Sequence, residues 1–277
     1  MPQQKAKIIT LHYPSETVPI SLSGNKCSLS CKHCSSQYLK HMKDPALYGD
    51  NKGGSFLISG GCNQEGDVET WKYIPFLKKL KDTGAKLNIH TGLIPKDKVT
   101  DTTPYASVIS FDFLADEDTI KEVYGLKADP KQYKDTFLML SQYKEVVPHI
   151  TVGLKGGKIS GEYKALETLA ELGCKRIVFL VMIPTKNTPY ENLSPPDLGD
   201  TASLFKTAAE LMPNSSFGLG CMHPRGSYKE KLEMTAFKYG FDSFVNPSKK
   251  FRLFLEDLAN QNPAKYQIVT KKECCVF

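Results

Sequence analysis

Short runs rich in β-branched and apolar residues recur along the chain, separated by longer polar stretches whose apolar positions fall three and four apart. The runs are VPISL at 18–22, SFLISG at 55–60, KLNIHTG at 86–92, SVISFDF at 107–113, HITVGL at 149–154, RIVFLVMIP at 176–184, SFGLGCM at 216–222 and SFVNP at 243–247. Runs of this length and composition predict strands. The stretches 69–83, 117–125, 130–144, 162–173, 198–211, 228–239 and 249–260 carry the period of amphipathic helices. Strands that alternate with helices and are close to continuously apolar predict a parallel sheet covered by helices. About eight such units point to an α/β fold of the (β/α)8 type or a partial TIM-like barrel. An open doubly wound sheet competes, but no G-x-G-x-x-G follows the first strand and no Walker A loop is present. One barrel domain is expected over 1–260, with a C-terminal tail at 261–277 closing the barrel mouth.

Composition narrows the class. Hydrophobic residues make up 40% of the 277 positions and charged residues 24%, which suits one large core and excludes a disordered chain. No segment approaches the roughly 20 apolar residues of a membrane span, and MPQQKAKIIT at the start lacks the apolar core of a signal peptide, so a cytoplasmic protein away from membranes is expected. The net charge of +6 comes from lysines scattered among acids, which argues for a mild preference for acidic partners and against a nucleic-acid groove. Eight cysteines in such a chain are better read as metal ligands or small buried residues than as a disulfide framework.

In a barrel of this kind the chemistry sits in the loops after the strands, and the unusual residues gather there. Cys27, Cys31 and Cys34 follow the first predicted strand, Gly60, Gly61 and Cys62 the second; His90 ends the third, Asp112 lies in the fourth, and His149 and Thr151 lie in the fifth. CSLSCKHC lets three thiolates each hold one iron of a 4Fe–4S cluster and leaves the fourth iron without a protein ligand. The plainer alternative is a zinc-binding, non-catalytic protein whose ion is held by these cysteines with His33 or a distant ligand.

On these residues the chain resembles the radical SAM enzymes, and the resemblance covers the cysteine motif and most of the following barrel. It implies that S-adenosylmethionine binds the open iron through its amino and carboxylate groups, with Cys27, Cys31 and Cys34 holding the cluster. His33 stands where the family places an aromatic-type residue. Gly60 and Gly61 match the glycine pair that meets the methionine end of the cofactor, but the acidic residue that usually follows is replaced by Cys62. The turn IPTKNTP at 183–189 is similar to the biotin-synthase-like branch. More narrowly, SGGCNQEG, IHTGL, VPHITVGL, GLGCMHPRG and the terminal ECCVF resemble the two-component lipoyl synthases.

That narrower resemblance implies sulfur insertion into the octanoyl chain of a lipoyl-carrier protein or lipoyl domain. A second radical SAM subunit and an electron donor such as ferredoxin would be its partners. Cys62, Cys221, Cys274 and Cys275 are then expected to hold an auxiliary Fe–S cluster, the sulfur source. His90, Asp112, His149, Thr151, Gly153, Met182 and Arg225 are candidate cofactor or substrate contacts, with core packing or surface salt bridges as the plainer alternative for each. Cys174 is expected to be a small buried residue. A radical SAM isomerase or maturase is the rival enzyme. CCVF also matches a prenylation box, and the vicinal pair could form a disulfide.

Overall fold

The protein is described by a computed structural model covering residues 6–48 and 54–277, so the first half of MPQQKAKIIT lies outside the described residues. All eight expected strands are present: β2 (Thr17–Ser21), β3 (Ser55–Ser59), β4 (Lys86–His90), β5 (Val108–Asp112), β6 (Val146–Val152), β7 (Arg176–Val181), β8 (Ser216–Leu219) and β9 (Ser243–Val245). Two more, β1 (Lys7–His12) and β10 (Tyr266–Lys271), extend the same sheet beyond β9. The order is β10-β1-β9-β8-β7-β6-β5-β4-β3-β2, and neighbours pair in parallel throughout. The sheet curls until the Tyr13 N–H donates to Lys271 O at 2.8 Å and the Glu16 N–H to Lys272 O at 2.9 Å, so the turn into β2 touches the end of β10. The architecture is an α/β partial barrel.

Helices cover the outer face, and their starts follow from side-chain caps. Asp129 accepts from the Gln132 N–H ahead of Pro130–Ser141, Asp197 accepts from Gly199 and Asp200 ahead of Leu198–Leu211, and Ser248 accepts from Phe251 ahead of Lys249–Gln261. The helices bury their apolar stripes against alternate strand residues. Ile58, Leu87, Ile89, Ile109, Phe111, Ile150, Ile177 and Phe179 share one cluster with Leu77, Leu140, Leu166, Leu204 and Leu232 from the helices. Phe179, Phe205, Phe217 and Phe241 pack at centroid distances of 4.5–6.0 Å. Each fully buried ring contributes roughly 1.5–3 kcal/mol of transfer free energy.

The intervening strand residues point the other way, into the barrel. They are largely polar: Ser55 and Ser59, Asn88 and His90, Ser110 and Asp112, His149, Arg176, Ser216 and Ser243. An ordinary barrel fills this space with layers of Val, Ile and Leu. Here the strands are not continuously apolar; they alternate, and the lumen is a polar chamber.

The expected boundary at 260 does not hold, because 266–271 supplies an edge strand instead of a tail. The segment after it packs against the N-terminal ends of the strands, opposite the mouth. Lys86 pairs with Glu273 at 2.9 Å, the Cys274 N–H donates to the Thr17 hydroxyl at 2.8 Å, and Arg176 donates to Cys275 O at 2.6 Å and Val276 O at 3.0 Å. Val276 and Cys275 join Val108, Val147, Val178 and Val245 in a second apolar cluster. The tail is therefore a floor plug: its apolar residues find an apolar patch in an otherwise polar lumen. Among the described residues no helix is long and apolar enough to cross a membrane.

Candidate functional site

The cysteine loop is held by its neighbour rather than by regular structure. The Ser23 hydroxyl donates to Lys26 O at 2.8 Å and accepts from the Gly61 N–H at 2.7 Å, which ties the loop after β2 to the loop after β3. The Ser28 N–H donates to Cys62 O at 2.8 Å, and the Cys62 N–H donates to the Cys27 sulfur at 3.3 Å. A Cβ on Gly61 would meet Lys26 O at 2.1 Å and Cys27 Cα at 2.6 Å, so only glycine allows this approach. Cys31 O accepts from the N–H groups of Cys34 and Ser35, a turn completed by left-handed Ser35 and Ser36. It brings two thiols together: the Cys31 thiol donates to Cys34, holding Cys34 down at about 7 and pushing Cys31 up. Burial and the charges of Cys27 and Asp112 push Cys62 up to about 12.

Below this loop lies a recess of about 120 Å³ lined by Gly60, Cys62, His90, Ser110, Asp112 and Tyr124, among others. The structure thus brings Cys27, Cys31, Cys34, Gly60, Gly61, Cys62, His90 and Asp112 to one place. Asp112 presents its surface to the recess yet is walled by protein, and desolvation raises its carboxyl to about 6. His90 and His149 stack at 5.4 Å and 25°; burial lowers His90 to about 4 and holds His149 well below the usual imidazole range, aided by His90 and Arg176. Among the described residues the His149 Nδ1 has no protein partner, nor have the His33 Nδ1, whose ring lies 5.3 Å from Tyr124, and the His223 Nε2. Buried imidazole nitrogens left without partners are uncommon away from a ligand site.

Other expected contacts fall elsewhere. Gly153 is a turn residue at φ 72 with Pro196 where its Cβ would be, and its N–H donates to Glu162 at 2.7 Å. Thr151, in β6, lines a separate crevice with Phe113 and Leu114, and Met182 is buried. Arg225 is exposed on the loop after β8 and does not line the recess. Sequence reasoning missed Glu162, which accepts from both Gly153 and Ser160 and so shapes the loop after β6. It also missed Asn88, Ser110 and Arg176. An isolated Asn or Arg in an apolar strand was the available signal.

The expected foursome of Cys62, Cys221, Cys274 and Cys275 is split. Cys62 belongs with Cys27, Cys31 and Cys34 because Gly61 packs on the cysteine loop. Cys221, deep among protein atoms beside open space, interacts with Cys274 and Cys275, and burial raises its thiol to about 11. Cys274 accepts from Cys275, which holds it at about 7, and from the Asn88 amide at 3.8 Å; Ser110 donates to the Asn88 carbonyl oxygen at 2.8 Å and fixes that amide's direction. With Cys275 buried and its carbonyl held by Arg176, the tail is not an extended prenylation substrate. Cys174 is buried and donates to Arg176 O, as a packing residue would.

Among the described residues no three His, Cys, Asp or Glu side chains are grouped around one metal-ion position. A structural zinc, with four ligands at about 2.0–2.3 Å from one point, and an iron–sulfur cluster would each require these side chains to rearrange. Thiols on one loop, an N–H aimed at a cysteine sulfur and partnerless imidazoles beside a polar recess fit a 4Fe–4S cluster with a nucleotide cofactor.

No protein-family model matches the chain, and no curated protein matches it in sequence. Among solved structures it is similar to methylornithine synthase (PylB), with a TM-score of 0.61 at 11% identity, covering 86% of this chain and 71% of that one. Streptococcus suis SuiB bound to S-adenosylmethionine is similar over 96% of this chain and 51% of that one, at 15% identity and a TM-score of 0.44. At these identities the likeness is one of fold: the chain shares the α/β partial barrel of methylornithine synthase.

Proposed function

We propose that the chain is a radical SAM enzyme inserting sulfur into the octanoyl chain of a lipoyl-carrier protein or lipoyl domain, together with a second radical SAM subunit and an electron donor such as ferredoxin. One observation carries this reading: the cysteines fall into two groups, Cys27, Cys31 and Cys34 in the loop after β2, and Cys274 and Cys275 in the tail beneath Asn88 with Cys221, from the loop after β8, in their field. In this reading the first group holds a 4Fe–4S cluster and the backbone of Gly60 and Gly61 receives the methionine end of S-adenosylmethionine. When bound, that pair supplies a 5′-deoxyadenosyl radical, strong enough to take hydrogen from an unactivated carbon. The second group holds an auxiliary Fe–S cluster as the sulfur source. Asn88, set by Ser110, steadies the Cys274 sulfur; Asp112 and His90 line the path between; and the Arg176-held tail keeps water from entering through the floor.

A second reading is a radical isomerase or maturase acting on a small polar substrate. The polarity of the lumen around Asn88, His90, Ser110, Asp112 and His149 favours it, as does the fold likeness to methylornithine synthase. The test is to incubate the reduced, reconstituted protein with S-adenosylmethionine and an octanoyl-lysyl peptide, with and without a partner enzyme, and to weigh the peptide. A gain of one sulfur is expected. S-adenosylmethionine cleavage with no gain on any octanoyl carrier would overturn sulfur insertion in favour of the isomerase reading.

A further inference from the structure

We infer that Cys62 is a fourth, displaceable protein ligand of the cluster at Cys27, Cys31 and Cys34, capping the open iron until the methionine end of S-adenosylmethionine takes its place. The inference rests on the assignment of that cluster above, and it concerns the residue at which this chain departs from the acidic residue of the proteins it resembles.

Two features of the geometry point to Cys62, its contact with the cysteine loop and its place in the recess. Its backbone is fastened to the cysteine loop on both sides, through Ser28 N–H to Cys62 O at 2.8 Å and Cys62 N–H to the Cys27 sulfur at 3.3 Å. Gly61 lets that contact form, since any side chain there would strike Lys26 O and the Cys27 backbone. Cys62 itself lines the recess with Asp112, His90 and Gly60. Cys62 packs against the core as Cys174 does, but unlike Cys174 it shares the field of Cys27, Cys31 and Cys34.

The exchange balances without an oxidant or reductant. The iron–sulfur bond to Cys62 breaks, bonds from iron to the amine nitrogen and a carboxylate oxygen of the incoming cofactor form, and the ammonium proton passes to the departing thiolate. No electron moves. The capped state protects the cluster when no cofactor is bound, because an iron with four firm ligands is harder to lose on oxidation.

The test uses the full chain reconstituted anaerobically with iron and sulfide, in a Cys274→Ala, Cys275→Ala background so that one cluster is observed. Wild-type Cys62, Cys62→Ser and Cys62→Ala are oxidised with ferricyanide, and the 3Fe–4S signal is read by electron paramagnetic resonance. Cys62→Ala is expected to give a several-fold larger signal than the parent, and S-adenosylmethionine should bring the two together. In the otherwise native chain, mass-mapped alkylation of Cys62 should rise several-fold when the cofactor is added. Equal 3Fe–4S signals, or alkylation that does not change with cofactor, would overturn the inference. Should Cys62→Ala not fold, alkylation of the native chain decides alone. If the parent binds no iron, the cluster assignment falls first.

Discussion

Gly61 is the tightest point of the candidate site, and Gly61→Ala perturbs it with a single methyl. The added carbon would lie 2.1 Å from Lys26 O and 2.6 Å from both Cys27 Cα and Cys27 Cβ, all held by backbone, so no flexible side chain can yield. Overpacking of this kind costs about 1–3 kcal/mol when the surroundings stay in place. If the two loops part instead, they lose the bonds from Gly61 N–H to Ser23, Ser28 N–H to Cys62 O and Cys62 N–H to Cys27, at roughly 1 kcal/mol each. Both routes converge on a loss of about 3 kcal/mol, or some 6–12 °C in Tm for a domain of this size. Gly84→Ala is the control. Gly84 sits at φ +82 with nothing within 4 Å of where a Cβ would stand, so its cost is local backbone strain of about 1–2 kcal/mol. Thermal unfolding and iron uptake after reconstitution are measured on both. Gly61→Ala is expected to lose iron as well as stability, and Gly84→Ala to bind iron normally. Normal iron uptake by Gly61→Ala, with a Tm loss no larger than that of Gly84→Ala, would refute the close-approach argument.

Cys31→Ala should abolish iron incorporation at the first site while Cys174→Ala leaves it intact, measured as iron per chain after reconstitution. Arg176→Met removes two charge-assisted bonds to the tail, worth roughly 1.5–3 kcal/mol each; carboxypeptidase should then release Phe277 faster and Cys275 should react faster with thiol reagents. His12 and His90 are each lowered by burial from 6.5 to about 4. Their neutral forms therefore contribute stability that is complete above pH 6.5 and is lost as pH falls towards 4, up to about 3 kcal/mol apiece. Urea unfolding at pH 7 and pH 4.5 should show the drop, and His12→Gln should shrink it.

The elements were legible because a parallel barrel repeats one unit, and each unit carries its own period: KLNIH for a strand, the stretch after Asp129 for a capped helix. β1 and β10 were hidden for a related reason. KIITLH and YQIVTK sit beyond the repeating units, and a half-exposed edge strand such as β10 shows a weaker apolar signal than a buried one. The three-cysteine loop announced itself by spacing, a local property. Which cysteines meet across the fold did not, since Cys62 lies 35 residues after Cys27 in the chain and is brought beside it only by the pairing of β2 with β3.

The destination of the tail follows from the same alternation that made the lumen polar. Helix-facing residues carry nearly all the apolar burial, so the inward positions of β3 to β8 are released from packing and can hold Asn88, His90, Asp112 and Arg176. A polar chamber open at its base would flood. The apolar inward positions include Val108, Val147, Val178 and Val245, with Leu180 packed against them, and they match Val276 and Cys275 of the tail. Arg176, at the start of β7, then satisfies the two carbonyls this burial would orphan. The floor is thus made of a valine ring, a two-residue apolar plug and one guanidinium. Because Cys274 precedes the plug, closing the floor also sets its sulfur under the Asn88 amide, so sealing the chamber and presenting the thiol are one structural event.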